Sequence, residues 1–147
     1  MTAPLFVDTN VLIYAHDVRA AERHDIAKAL ILELWRTQRG VLSTQVLQEF
    51  YVNVTHKIRR PLHRVRAREV IRTYALWVEE PITASTVVRA SELEELAQLS
   101  FWDSLIVASA EAHRAKELLS EDLQHGQVIA GVRVRNPFMS IRINQRR

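Results

Sequence analysis

Short apolar runs alternate with stretches of helical periodicity along this chain, and that alternation limits its possible folds more than any other feature. The runs are Leu5-Phe6-Val7, Val41-Leu42, Pro81-Ile82-Thr83, Leu118-Leu119 and Val132-Arg133-Val134. Helical patterning fills residues 11–15, 20–38, 45–58, 63–78, 85–99 and 103–115. In the second of these, Ile26, Ala27, Leu30, Ile31, Leu34 and Trp35 recur at helical spacing, and Gly40 reads as the stop. In the third, Val46, Phe50, Val54 and Ile58 form one stripe, with Ser43 and Thr44 as candidate caps. Residues 105–110 are nearly all apolar or small, which predicts a helix buried on most sides. Strands alternating with helices predict an α/β sandwich, a parallel sheet covered on both faces. A length of 147 residues predicts a single domain over residues 1–147.

Composition removes several function classes. The absence of cysteine excludes a disulfide scaffold, a cysteine nucleophile and thiolate-bound zinc. Three glycines in the whole chain argue against a phosphate-cradling loop. No basic leader precedes an apolar segment, since Asp8 interrupts the first one, and no run is long enough to span a bilayer. A cytoplasmic protein without membrane association is the expectation. The net charge is only +3, but its distribution is uneven. Residues 56–72 carry Lys57, Arg59, Arg60, Arg64, Arg66, Arg68 and Arg72 against Glu69 alone. Beyond Asp122 come Arg133, Arg135, Arg142, Arg146 and Arg147 with no acid. Clustered arginine suits a phosphate backbone, and equally suits a solvated helix face.

Four acids stand out, each with a bland alternative. Asp8 follows the first apolar run directly, where it is either an N-cap or a site residue at a strand's carboxyl end. Gln45, Glu49 and Asn53 lie four residues apart and form a polar stripe, either a solvent face or an inward one. Asp103 precedes a buried apolar run, and Ser100-Phe101-Trp102-Asp103 also fits a capping box. Asp122 follows the Leu118-Leu119 run and is otherwise an ordinary turn residue, with its neighbour Glu121 directed elsewhere. A parallel sheet would bring Asp8 and Asp122 to one edge, and two helices would present Glu49 and Asp103 there. Four such carboxylates repel one another unless a cation neutralises them, and all-oxygen ligation suits Mg²⁺ or Mn²⁺.

The segments Val7-Asp8-Thr9-Asn10-Val11-Leu12-Ile13-Tyr14-Ala15, Ser43-Thr44-Gln45-Val46-Leu47-Gln48-Glu49-Phe50, Phe101-Trp102-Asp103-Ser104-Leu105-Ile106-Val107-Ala108 and Leu118-Leu119-Ser120-Glu121-Asp122 resemble the motifs of PIN-domain proteins, above all VapC-type toxins. The resemblance covers residues 6–138. It implies a PIN-like sandwich around a five-stranded parallel sheet, ordered 3-2-1-4-5 in chain numbering. It implies an Mg²⁺- or Mn²⁺-dependent endoribonuclease that cleaves RNA phosphodiester bonds by a metal-activated water, leaving 5′-phosphate and 3′-hydroxyl ends. It also implies the role of toxin in a type II toxin–antitoxin system, a cognate antitoxin as partner, and a homodimer.

Matched position by position, Asp8, Glu49, Asp103 and Asp122 take the places of the catalytic, metal-holding acids. Thr9, Asn10 and Ser120 take the polar supporting positions. Many relatives carry a further acid just beyond Asp122, where this chain has Leu123, Gln124 and His125. Arg59, Arg60, Arg64 and Arg68 are the candidates for gripping RNA. The alternative reading is a catalytically inactive nucleic-acid-binding or regulatory module on the same fold. Trp35, Trp77 and Trp102 fall on apolar faces and read as core.

Overall fold

The computed structural model describes residues 3–141. Arg142, Arg146 and Arg147 lie outside them. Five strands, β1 (Leu5–Val7), β2 (Gly40–Val41), β3 (Glu117–Leu119), β4 (Val128–Ile129) and β5 (Val132–Arg135), form one sheet in the order β2-β1-β3-β5-β4. The helices are α1 (Thr9–His16), α2 (Glu22–Thr37), α3 (Thr44–Val52), α4 (Arg64–Tyr74), α5 (Ala84–Ala97) and α6 (Phe101–Ala112). α1 packs against α2 and α3, while α5 packs on α6, which contacts β3 and β5. This is the expected α/β sandwich of helices around a five-stranded sheet. Among the described residues no helix is long and apolar enough to cross a membrane.

β1 is buried at all three positions, and Leu118 and Leu119 of β3 are buried beside it. Near-continuous apolar strands of this kind belong to a sheet covered on both faces. β1 runs parallel to β2 and β3, and β3 runs parallel to β5. The β1–β3 register sets Val7 opposite Leu119. The residues that follow these two strands, Asp8 and Ser120, therefore emerge side by side.

One strand differs from expectation. Residues 81–83 are not a strand, because proline lacks a ladder donor and Thr83 is committed to capping α5 through the backbone N–H of Thr86. The fifth strand is β4 instead, which pairs with β5 in antiparallel fashion. Ala130 and Gly131, at φ +52° and +77°, close the β4–β5 hairpin. The sheet is thus parallel over four strands, with an antiparallel edge strand.

Gly40 has a different duty from the one its position suggests. Gln38, in the left-handed region at φ 58°, caps α2. Gly40 begins β2 under the ring of Trp77, and a Cβ there would lie 2.7 Å from the ring. Trp77 packs with Trp35 and Tyr74 at centroid distances of 4.5 and 5.1 Å. Trp77 is accordingly core and Trp35 half-buried, but Trp102 is 64% exposed. The core reading of Trp102 is wrong because it lies in the first turn of α6, ahead of that helix's buried run Ser104–Ala110.

Candidate active site

Asp8 is buried at the carboxyl end of β1, where it is also the N-cap of α1. Its Oδ1 accepts from the backbone N–H of Thr9 at 2.7 Å, and its Oδ2 accepts from the Ser120 hydroxyl at 2.7 Å. The capping role and the site role thus fall on one carboxylate. Asn10, in the first turn of α1, ties the two strand ends together. Its Nδ2 donates to Asp122 Oδ2 at 3.0 Å and to Asp8 Oδ2 at 3.4 Å, and its Oδ1 accepts from the backbone N–H of Glu121 at 3.1 Å. The Ser120 hydroxyl also accepts from the backbone N–H of Asp122 at 3.1 Å. Asp122 itself is exposed, at the rim.

Glu49 arrives from α3. The Thr9 hydroxyl donates to its Oε1 at 2.9 Å, so Thr9 touches both Asp8 and Glu49. The stripe containing Glu49 faces inward. Gln45 is buried and donates through Nε2 to the Trp102 carbonyl at 3.2 Å, while Glu49 and Asn53 are half-buried. Asp103 lies in the first turn of α6, which Ser100 caps by accepting from the Asp103 backbone N–H at 3.1 Å. Its carboxylate is half-buried.

The electrostatics show that the structure gathers these acids. Burial pushes Asp8 up to about 7, against the opposing pull of the Ser120 and Thr9 hydrogen bonds, and Asp122 and Glu49 add repulsion. Burial likewise raises Glu49, with repulsion from Asp103 and Asp122. Asp103 is raised by burial and by Asp122. Among the described residues no arginine, lysine or histidine forms an ion pair with any of the four. Glu121, as expected, points away. It accepts from Tyr14 Oη and from Arg23 Nε, each at 2.8 Å.

An uncompensated all-oxygen donor set fits a hard divalent cation. Asp8, Glu49 and Asp122 are linked through Thr9, Asn10 and Ser120 rather than converged on a point, and Asp103 joins them only through its repulsion with Glu49 and Asp122. Among the described residues no three acid or imidazole groups form a ready-made cage for a metal.

A family model for the PIN domain matches residues 5–129. The chain belongs to the PIN-domain family. The matched span of this PIN domain contains all four acids. No curated protein matches the chain. A chain in a toxin–antitoxin complex from Klebsiella pneumoniae is 27% identical at a TM-score of 0.65, covering 92% of this PIN domain and 98% of that chain. VapC20 of Mycobacterium tuberculosis, described as a sarcin-ricin loop cleaving toxin, is 22% identical at a TM-score of 0.56, covering 78% of this chain and 86% of its own. A chain of FitAB bound to a DNA fragment is 17% identical at a TM-score of 0.69, covering 91% and 95%. The last two likenesses concern the fold.

The basic candidates separate. Arg59 lines a cavity of about 350 Å³ that Asn10 also lines. Arg60 is exposed beyond it, and Arg64 and Arg68 are exposed on α4; none of the three lines that cavity. His125 is exposed, and its Nδ1 accepts from the backbone N–H of Asn136 at 3.0 Å. The sequence shows Gln45 in the polar stripe and Lys57 in the basic stretch but assigns neither a place in the site. Gln45 shares the Glu49 stripe, which was the available signal. Lys57 reaches the cavity through a local change of helix type that no residue pattern announces.

Proposed function

We propose that this PIN domain is an Mg²⁺- or Mn²⁺-dependent endoribonuclease and the toxin of a toxin–antitoxin pair. The observation that carries the reading is the mutual repulsion of Asp8, Glu49, Asp103 and Asp122, none of which has an ion-pair partner among the described residues. Asp8, Asp103 and Asp122 are the groups to hold a cation, with Glu49 completing the shell. A bound divalent ion supplies an activated water and neutralises charge on the phosphoryl group. The chain's own residues set the stage for it. Ser120 and the Thr9 backbone orient Asp8, Asn10 holds Asp122 at a fixed offset from Asp8, and Thr9 holds Glu49 across from them. The likeness to a toxin–antitoxin chain at 27% identity supports the toxin role.

On this reading the protein is a single domain working in the cytoplasm as a homodimer, restrained by an antitoxin. An antitoxin arginine entering the acid cluster is one physical route to restraint. A complex whose antitoxin leaves the acids uncovered would sink that route.

The test is cleavage of RNA with Mg²⁺, Mn²⁺ or EDTA, in parallel with DNA. Losing a residue that hydrogen-bonds to a metal ligand costs roughly 10–100-fold, so losing a direct ligand should cost more than about 100-fold. Asp8→Ala and Asp103→Asn should therefore abolish cleavage and toxicity while remaining folded. Wild-type cleavage by either variant refutes the site. RNA binding without metal-dependent cleavage by the wild type favours the inactive module.

A further inference from the structure

α3 does not end as an α-helix. Residues Asn53–Lys57 form a π turn, in which Ile58 N–H donates to the Asn53 carbonyl five residues back at 3.1 Å. Such turns shift the phase of everything that follows and often sit at functional sites. Here the shift brings Lys57, Ile58 and Arg59 to the wall of the cavity that Asn10, Ile13, Tyr14 and Asn53 complete. At about 350 Å³ it lies near the lower end of ligand pockets, roughly 300–1,000 Å³, a size suited to one nucleotide rather than a duplex. Asn10 is the shared wall, since its Nδ2 also holds Asp122 and Asp8.

The charges around it are informative. Lys57 and Arg59 make no ion pair among the described residues, and both are exposed. Asp17, the one acid among the lining residues, accepts from the backbone N–H of Arg19. A polyanion crossing four carboxylates meets repulsion except where a cation sits, and a basic contact beside the acids offsets it by neutralising a neighbouring phosphate. Lys57 and Arg59 are placed to provide that contact, with Ile13 and Ile58 as an apolar wall for the base.

We infer that this cavity is the subsite for the nucleotide flanking the scissile phosphate, gripping one phosphate of single-stranded RNA through Lys57 and Arg59. The inference rests on the ribonuclease reading above.

Lys57→Ala, Arg59→Ala and the double variant should be compared with the wild type, and with Lys116→Ala, which lies at the opposite end of the sheet. Each removed phosphate contact lowers the salt slope of log(kcat/KM) by about 0.7 for a single strand. Each single variant should raise KM several-fold with kcat within about twofold and an unchanged melting temperature, while Lys116→Ala matches the wild type. Binding of a labelled single-stranded hexaribonucleotide, measured by anisotropy in the Asp103→Asn background, should weaken in parallel and lose the same slope. Unchanged KM, binding and salt slope would overturn the subsite. So would variants that bind RNA normally but lose affinity for an acidic antitoxin, since the cavity would then be a protein-docking site. If the wild type does not cleave RNA, the ribonuclease reading fails by itself, and the anisotropy arm still decides whether the cavity grips phosphate.

Discussion

Asp8 is an N-cap and a buried acid at once, and the same geometry makes both roles possible. The residue after a parallel strand must turn into a helix, so its side chain points at exposed backbone N–H groups and also at the end of the sheet. Its two strongest hydrogen bonds come from Thr9 and Ser120. The tryptophans show the opposite case, where one residue type read alike in sequence has different fates. Trp77 is 4% exposed and packed over Gly40, whereas Trp102 is 64% exposed. Phe or Trp truncations in a core cost about 3–5 kcal/mol. Trp77→Ala should therefore cost several kcal/mol in urea denaturation, and Trp102→Ala well under half as much. Equal losses would show that Trp102 is packed in solution.

At the scale of elements, the helices carry most of what periodicity can reveal. All six overlap expected stretches, because each buries one stripe or, in α6, nearly every side. The short strands carry less. Two or three residues cannot show a period, so residues 81–83 read as a strand from sequence and Val128–Ile129 does not. The hairpin that makes β4 turns on Ala130 at φ 52°, a residue not expected there. The left-handed region costs a non-glycine residue about 1–2 kcal/mol. Ala130→Gly should relieve part of this and raise the melting temperature by a few degrees. A lower melting temperature would mean that the added unfolded-chain entropy of glycine outweighs the relief. The π turn after α3 belongs to the same scale. The stripe Val46, Phe50, Val54 and Ile58 predicts continuous helix, and only tertiary packing shows the register change at Asn53.

At the scale of the whole molecule, charge and burial oppose each other. Asp8 titrates near 7 when folded against an ordinary value of 3.8. The folded, metal-free protein therefore holds an extra proton between those values. Its stability is greatest below pH 3.8 on this account and falls by about 1.4 kcal/mol per pH unit toward 7. His16, buried and close to Arg66 and His24, is pushed down to about 4 from 6.5, so its contribution is lost as pH falls through that window. The two slopes cancel over much of pH 4–6.5 in the wild type. Asp8→Asn should expose the His16 slope and gain on the wild type progressively up to about pH 7; parallel curves would refute this assignment. Mn²⁺ should raise the wild-type melting temperature more than that of Asp8→Asn, because ligand binding to the native state adds stability by mass action. The sequence alone determined the α/β class and the helices, and it offered the four acids as candidates, because periodicity and composition are local quantities. Their meeting depends on the β1–β3 register and on Asn10 and Thr9 bridging segments far apart in the chain, as do the inward stripe on α3 and the cavity beside it. Those features come from three-dimensional packing, which sets distances and burial that no local pattern encodes.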